Sequence, residues 1–221
     1  MCGRFTQKSE QTKITEQFYI KLINFDYQFS YNIAPSQKAA VAYVREGEII
    51  LDGFQFGLVP YFAAKTKKTY TMINARSETA LEKPSFKKPL LQKRCIIPAD
   101  GFFEWRKTAP SKIPYYIHSS TDDMLGLAGI YEFTEMENGQ IIQSFAILTT
   151  TPNSLMQKLH DRMPCILPRE KYSAWLDPAL QDGGLIMEFL KPCPSEALAS
   201  YPVTRLVNSP ANNSPDCIKP A

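Results

Sequence analysis

Short apolar segments separated by proline are the feature that most limits how this sequence can fold. Seventeen prolines stand against ten glycines in 221 residues, and proline both fixes its own φ and removes a backbone donor from helices and strands. The longest apolar stretch, around Met124–Tyr131, is far shorter than the roughly 20 residues that a membrane-spanning helix needs. We therefore expect many short elements, frequent loops and no membrane partner.

The apolar periodicity predicts which elements fill these segments. Apolar runs predict strands at 39–44, 49–56, 95–97, 101–105, 115–118, 125–133, 141–149, 163–167 and 203–207. Helical spacing predicts helices at 7–23, 74–81, 153–160, 169–176 and 185–190. This pattern indicates an α+β fold: a single domain over residues 1–221 with a β-rich, barrel-like core of short strands and several short helices. The polar residues from about 211 on are expected to form an extended tail.

The cysteines and histidines do not fit the common metal or disulfide frameworks. Five cysteines form no CxxC pair, and only His118 and His160 could add an imidazole. Such counts argue against a structural zinc site and against a disulfide framework. The polar N-terminus, MCGRFTQKSEQ, has no apolar core of a secretory signal. We expect a cytoplasmic monomer with no metal and no cofactor.

Basic charge is concentrated in one part of the chain. Residues 65–94 contain nine basic and two acidic residues, a net charge of +7, whereas the whole chain carries +3. Tyr70 and Phe86 lie within this segment, and Trp105 follows it. Cations bind phosphates and aromatic rings stack on bases, so the segment is typical of a site for single-stranded nucleic acid. A solvated basic face would explain the same charge equally well.

The residue after the initiator methionine is Cys2, and glycine follows it. Because methionine aminopeptidases remove Met1 before a small residue, we expect Cys2 to become the N-terminal residue. An α-amine with a pKa of about 7.7–8.0 then lies next to a thiol with a pKa of about 8.5. The amine can form a Schiff base with an aldehyde, and the thiolate can close a five-membered ring on the imine carbon. Taken alone, however, a cysteine at this position can be incidental.

Nine motifs occur in order along nearly the whole chain. They are CGRF at 2–5, YNIAPSQ at 31–37, FGLVP at 56–60, NARSET at 74–79, RCIIPADGFFEW at 94–105, LAGIYE at 127–132, TTTPN at 149–153, LHDRMP at 159–164 and VNSP at 207–210. Together they closely resemble the SRAP family, which is named for SOS-response-associated peptidases. Phe56 and Tyr131 stand where the family usually carries Trp.

The resemblance implies a sensor of abasic sites that binds single-stranded DNA. It implies that Cys2 captures the aldehyde of the ring-opened deoxyribose as a thiazolidine. The resulting covalent DNA–protein cross-link would shield the lesion from strand cleavage in the DNA damage and SOS response. This chemistry is the one that an N-terminal cysteine allows.

Four motif residues are the predicted catalytic residues. Cys2 supplies the amine and the thiol. Asn74 has a side-chain amide that can orient Cys2, although it could instead be a helix N-cap. Glu104 is a carboxylate among aromatic neighbours, where it can exchange protons near neutral pH, unless it faces outward from its strand. His160 is suited to acid–base chemistry during sugar ring opening or reversal.

Further motif residues are predicted to bind DNA. Arg4, Arg76 and Arg162 would bind phosphates through their forked guanidinium donors. Asn32, Pro35 and Trp105 would line the base side of the strand. Additional phosphate contacts are expected from Lys65, Lys67, Lys68, Lys87 and Lys88. Contacts to the backbone rather than to base edges imply little sequence preference.

Two other functions use the same residues. In a cysteine peptidase, Cys2 would be the nucleophile, His160 the base, and Glu104 or Asn74 the orienting group. Only Met1 precedes Cys2, so self-cleavage would achieve no more than an aminopeptidase does. The third possibility is a non-catalytic reader of modified DNA that uses the same groove.

Overall fold

The structure, a computed structural model, describes residues 2–65, 71–108 and 111–221. Its strands are β1 (Phe5–Gln7), β2 (Leu22–Ile23), β3 (Ser30–Ile33), β4 (Lys38–Arg45), β5 (Glu48–Phe56), β6 (Asn74–Arg76), β7 (Arg94–Ala99), β8 (Gly101–Thr108), β9 (Ser111–Ser119), β10 (Leu125–Glu135), β11 (Ile141–Thr150), β12 (Met163–Pro164), β13 (Ile166–Leu167) and β14 (Leu198–Pro202). The α-helices are α1 (Gln11–Gln17), α2 (Ser77–Ala80), α3 (Pro84–Gln92), α4 (Tyr172–Leu176) and α5 (Gly183–Met187). Short 3-10 helices occupy Tyr61–Lys65, Met156–Lys158, Arg169–Lys171, Ser195–Ala197, Arg205–Asn208 and Pro215–Ile218.

The first sheet has five strands in the order β14–β9–β8–β1–β3. All of its neighbouring strands are antiparallel. Strands β8 and β9 form a long hairpin in which Gly101 lies opposite His118. Strand β1 lies between β8 and β3, so the N-terminal strand is internal to this sheet.

The second sheet closes on itself. Its main order is β12–β11–β10–β7–β4–β5–β2, and β11 additionally pairs in parallel with β5, where Ser144 lies opposite Gln55. Strands β5, β4, β7, β10 and β11 therefore form a closed ring. The predicted α+β fold with a barrel-like β core is confirmed.

Side chains alternate between the two faces of the barrel wall, as expected for strands. The inner face carries large residues such as Phe56 and Phe145, whose rings stack at 5.2 Å. The outer face carries small residues such as Ala42 and Ala128, which leave room for the helices packed against them. Helix α4 is fixed there because the Trp175 indole donates to the carbonyl of Cys95 at 2.9 Å. Among the described residues, none of the helices has the length and apolar character that a membrane crossing requires.

Two of the predicted helices begin in residues that the structure places in strands. The helix expected over 7–23 is confined to α1, because the preceding residues pair with β3 and β8 as strand β1. The helix expected over 74–81 begins only at Ser77, because residues 74–76 pair in parallel with β11. Asn74 is therefore a strand residue, and its alternative role as a helix cap is wrong.

The end of the chain is folded back onto the first sheet. The strand predicted over 203–207 is instead a single bridge from Val203 to Pro220, followed by the 3-10 helix Arg205–Asn208. Cys217 is fully buried in a cluster with Phe103 on the outer face of β8. The extended tail expected from 211 is thus wrong. Cys217, which lies among the polar residues of this segment, is buried in the cluster and holds the segment against the first sheet.

Candidate active site around Cys2

The N-terminal segment reaches the core because β1 is held along both edges. Phe5 lies opposite Phe102 of β8 on one side and Ile33 of β3 on the other. The buried Gln7 amide donates from Nε2 to the carbonyls of Ala40 and Pro98, both at 2.8 Å, and accepts from the Ala40 N–H at 2.9 Å. These bonds fix the register of β1 and hence the position of the residues before it.

Cys2 is fully buried in the inner cluster of the barrel. Its carbonyl accepts a hydrogen bond of 3.0 Å from Asn74 Nδ2. Burial raises the pKa of the Cys2 thiol, and the negative charge of Glu104 raises it further, while a hydrogen bond from the Arg4 backbone acts in the opposite direction. At neutral pH the thiol is therefore protonated, and a base is needed before it can react.

Asn74 is positioned by the parallel pairing of β6 with β11, where it lies opposite Ile147. Its Nδ2 donates to Cys2 and also to the carbonyl of Ile73 at 2.8 Å. Its Oδ1 is buried and has no hydrogen-bond partner among the described residues. A buried acceptor of this kind is available for a donor that enters the site.

Glu104 lies on β8 and is only 3% exposed, so the outward-facing alternative is wrong. Side chains alternate along this strand: Phe103 packs in the outer cluster with Val207, whereas Phe102 packs with Cys2 in the inner cluster. Glu104 shares the inner face with Phe102, which explains its effect on the Cys2 thiol. The structure thus brings Cys2, Asn74 and Glu104 together from three separate strands or segments.

His160 follows the 3-10 helix Met156–Lys158, which replaces the longer helix predicted over 153–160. Its Nδ1 accepts from the backbone N–H of Arg162 at 3.0 Å and lies 2.8 Å from Asp161 Oδ1. Nδ1 can accept from an N–H only without a proton, and it can donate to a carboxylate only with one. Which contact His160 makes therefore depends on whether Nδ1 carries a proton.

Arg162 is held by a forked ion pair at the edge of the site. Its NH1 and NH2 donate to the two oxygens of Glu78 at 2.6 and 2.8 Å, and NH2 also donates to the carbonyl of Thr149 at 2.6 Å. The hydrogen bonds from Arg162 lower the pKa of the Glu78 carboxyl, and the nearby charge of Arg76 adds to this. Arg162 Nε is buried without a partner among the described residues.

Arg4 and Asn32 bind the chain itself. Arg4 NH1 donates to Asn32 Oδ1 at 2.8 Å and to the carbonyl of Val207 at 2.7 Å. Asn32 Nδ2 donates to the carbonyls of Ser209 and Asn212 at 2.9 and 2.8 Å. Both residues therefore hold the loop at 207–212 against β1 and β3, and their contact with DNA remains a prediction.

The other predicted DNA contacts are spread over the surface. Trp105 lies on the face of β8 opposite to Glu104 and donates from Nε1 to Asn208 Oδ1 at 2.7 Å. Pro35, Arg76 and Lys87 are exposed. The remaining predicted contacts, Lys67 and Lys68, lie outside the described residues, as does the side chain of Lys65.

Sequence reasoning missed two groups of surface residues. Tyr61 and Phe62 are 53% and 39% exposed, and their rings meet edge to face at 5.4 Å. Lys88 of α3 lies over the Tyr61 ring at 5.8 Å. The signal was two adjacent aromatic residues immediately before the basic segment. The second group, around Arg106, lies beside His160 in an open cavity.

Within the part of the chain that the structure describes, no three or more Cys, His, Asp or Glu side chains are arranged to hold a metal ion. A cavity of about 400 Å³ lies between Gly126, Leu167 and Phe189. It contains none of the predicted site residues, so the Cys2 site is defined by its chemistry rather than by cavity size.

Residues 1–210 match the model of a protein family described as SOS response associated peptidase (SRAP). The abasic site processing protein YoqW of Bacillus subtilis is 44% identical over 99% of this chain and 99% of its own length. The abasic site processing protein HMCES of Gallus gallus is 31% identical over 88% of this chain and 67% of its own. A crystal structure of a Bacteroides thetaiotaomicron protein superposes over the full length of both chains with a TM-score of 0.86 at 29% identity.

Proposed function

The chain belongs to the SRAP family, and on this basis we propose that it processes abasic sites by forming a covalent cross-link to single-stranded DNA through Cys2. Relatives that match over nearly their whole length are named abasic site processing proteins, which supports action on this lesion. The cross-linking chemistry rests on the geometry around Cys2. One observation carries it: the Cys2 backbone and thiol are held in the core between an amide and a carboxylate.

The first step is imine formation. After removal of Met1, the Cys2 nitrogen attacks the aldehyde carbon of the ring-opened deoxyribose and gives a carbinolamine. Loss of the hydroxyl as water needs one proton, which a neighbouring acid supplies. Asn74 fixes the Cys2 carbonyl and so limits rotation of the amine, while its buried Oδ1 can accept from the amine or from a sugar hydroxyl.

The second step is ring closure. The Cys2 sulfur adds to the imine carbon, the thiol proton moves to the nitrogen, and the products are a thiazolidine and one water from the first step. The raised pKa of the thiol means that this proton must be taken by a base. Glu104 is the carboxylate whose charge acts on this thiol, so we assign it the proton transfer.

A cysteine peptidase is less well supported by the same observation. A peptidase nucleophile needs a lowered thiol pKa so that the thiolate is present at neutral pH. The two largest effects on Cys2, burial and Glu104, both raise the pKa of its thiol. A mechanism in which the amine reacts first, and the thiol follows with general-base help, fits this environment.

We propose that charged and aromatic side chains on the surface bind the strand. Arg162 and Arg76 flank Glu78 at the edge of the site, where phosphates would meet forked donors. The exposed rings of Tyr61 and Phe62, with Lys88 alongside, form a platform of the kind on which bases stack. All these groups belong to one chain, so we propose that a monomer suffices.

The test is a gel under denaturing conditions after incubation with single-stranded DNA that contains one abasic site. We expect an adduct from the wild type and none from Cys2→Ala, which should still bind the strand non-covalently. Cys2→Ser should give an imine that borohydride traps, but it should close the ring poorly because a hydroxyl is the weaker nucleophile. Cys193→Ala, which removes a half-buried thiol elsewhere, is the control and should cross-link normally. An adduct from Cys2→Ala equal to that of the wild type would refute the mechanism.

A further inference from the structure

An open cavity of about 610 Å³ adjoins His160. Strand β8 and the segment 152–161 form its walls. The lining residues are Arg106, Lys107, Pro152, Gln157, Lys158, Leu159, His160 and Asp161. The lining therefore includes three basic residues and one carboxylate, and the side chain of that carboxylate, Asp161, is itself largely exposed to water. A cavity with this balance attracts an anion.

Arg106 is the most constrained of these cations. It follows Glu104 by two residues on β8, so both side chains project from the same face of the strand. Its guanidinium lies over the ring of Tyr115 at 5.0 Å, which fixes the plane of the fork. Arg106 Nε is buried and has no hydrogen-bond partner among the described residues. Buried donors are normally paired, so this N–H is available to donate a hydrogen bond to an acceptor that enters the cavity.

The ligand class follows from the position of the cavity. Its wall includes His160, and Arg106 shares a strand face with Glu104, so an abasic sugar bound at Cys2 would direct its neighbouring phosphodiester toward this space. A phosphodiester offers two charged oxygens that match the forked donors of arginine. Lys107 and Lys158 add point charges nearby without demanding a fixed geometry.

We propose that Arg106, supported by Lys107 and Lys158, binds the phosphodiester adjacent to the abasic sugar. This inference rests on the proposed function of the Cys2 site and adds a phosphate contact that none of the matched motifs contains. It also predicts that the strand passes along β8 beside His160 rather than only along the Arg76–Arg162 edge.

The experiment uses a series of abasic single strands, each with one phosphodiester replaced by a neutral methylphosphonate. Non-covalent affinity is measured in a Cys2→Ala background, with and without Arg106→Gln. At one linkage next to the lesion, we expect neutralisation to weaken binding roughly tenfold in the protein that retains Arg106. In Arg106→Gln, neutralising the same linkage should have little further effect. The log–log salt slope should become shallower by about 0.7 in Arg106→Gln, as expected for one lost phosphate contact on a single strand.

Two further variants make the result interpretable. Lys158→Ala removes an exposed residue of the same cavity. It should reduce the loss of affinity caused by neutralising the same linkage or the next one, and it provides this test even if Arg106→Gln folds poorly. Arg45→Ala removes an exposed arginine in the β4–β5 hairpin and should leave the whole series unchanged. The proposal is overturned if, at every linkage, neutralisation weakens binding by the same factor in the Cys2→Ala background, in Arg106→Gln and in Lys158→Ala. Failure of the proposed function would instead appear as a missing denaturant-stable adduct from the wild-type protein.

Discussion

Glu104 and His160 lie on different elements, and they are expected to carry different proton transfers. Glu104→Gln keeps the shape of the side chain but cannot take the thiol proton, so adduct formation should slow by roughly 10²–10⁴-fold. Binding of the strand should survive, because Glu104 is buried on the inner face of β8. Rapid-quench time courses of adduct formation measure this, and equal rates for the variant and the wild type would remove Glu104 from the mechanism.

His160 is expected to act on the sugar side, where its Nδ1 lies within hydrogen-bond distance of both the Arg162 backbone N–H and Asp161 Oδ1. His160→Gln should therefore slow ring opening and also slow reversal, so that the finished adduct lives longer. A chase with excess unlabelled abasic strand follows release directly. Release as fast as from the wild type would show that His160 takes no part in reversal.

The Glu78–Arg162 pair gives a pH dependence with a defined sign. Hydrogen bonds from Arg162 lower the pKa of Glu78 in the folded state. The pair thus stabilises the fold fully above the ordinary glutamate pKa of about 4.3, and this contribution disappears as the pH falls through the lowered value. Because Glu78 is 45% exposed, the contribution should be small, about 0.2–1 kcal/mol.

Urea unfolding from pH 7 to pH 3 tests this dependence. The wild type should be more stable than Glu78→Gln at neutral pH, and the difference should vanish in acid. Glu137→Gln, which changes an exposed loop carboxylate, serves as the control with no such pH-dependent difference. A gap between wild type and Glu78→Gln that stays constant down to pH 3 would contradict the assigned ion pair.

At the level of elements, strand β1 determines where Cys2 lies, and Gln7 is its main buried anchor. Gln7→Met keeps the length of the side chain but leaves backbone groups of Ala40 and Pro98 without their partners. We expect a loss of about 2–4 kcal/mol in the free energy of unfolding, since each unsatisfied buried group costs about 1–3 kcal/mol. Adduct formation should also slow, because the register of β1 loosens.

Chemical denaturation measures the first effect, and a time course at a temperature where the variant is folded measures the second. Gln11→Met, at an exposed position of α1, is the matched control and should change neither. If Gln7→Met were as stable as the wild type, the buried amide would have no role in fixing the N-terminal strand.

The elements show which parts of the fold could be predicted from the sequence. The barrel strands were found because continuous apolar runs are buried on both faces, as at β10. Strands β1 and β6 were missed because they have three residues each and their pairing partners are remote in sequence. Local pattern cannot reveal a partner that only the folded chain supplies.

At the scale of the whole molecule, part of the candidate site could likewise be predicted from the sequence and part could not. Motifs identified Cys2, Asn74 and Glu104, and the structure brings these three together. The hydrogen bond from Arg4 to the carbonyl of Val207 spans 203 positions in sequence, so the sequence around either residue does not predict it. Arg4 was predicted as a phosphate contact because it lies in the CGRF motif, whereas its described contacts join the two ends of the chain.

The last residues of the chain are therefore expected to matter for stability more than for chemistry. Asn213 Oδ1 accepts from the Tyr31 backbone at 2.7 Å, and Cys217 is buried against the outer face of β8. Residues 211–221 lie beyond the match to the family model. Their removal should lower the free energy of unfolding by about 2–4 kcal/mol, because it exposes the cluster of Phe103 and its neighbours to water. Cys217→Ala in the full chain should cost less, because it removes one sulfur and leaves the backbone contacts.

Both variants should still form the adduct at temperatures well below their unfolding midpoints, because the contacts of Cys2 with Asn74 and Glu104 do not involve the last residues. Thermal unfolding and an abasic-strand gel at two temperatures separate the two effects. A truncated chain that unfolds at the wild-type midpoint would show that the folded-back end adds no stability. A truncated chain that is folded but forms no adduct would show instead that the 207–212 loop, held by Arg4 and Asn32, transmits its position to Cys2 through β1.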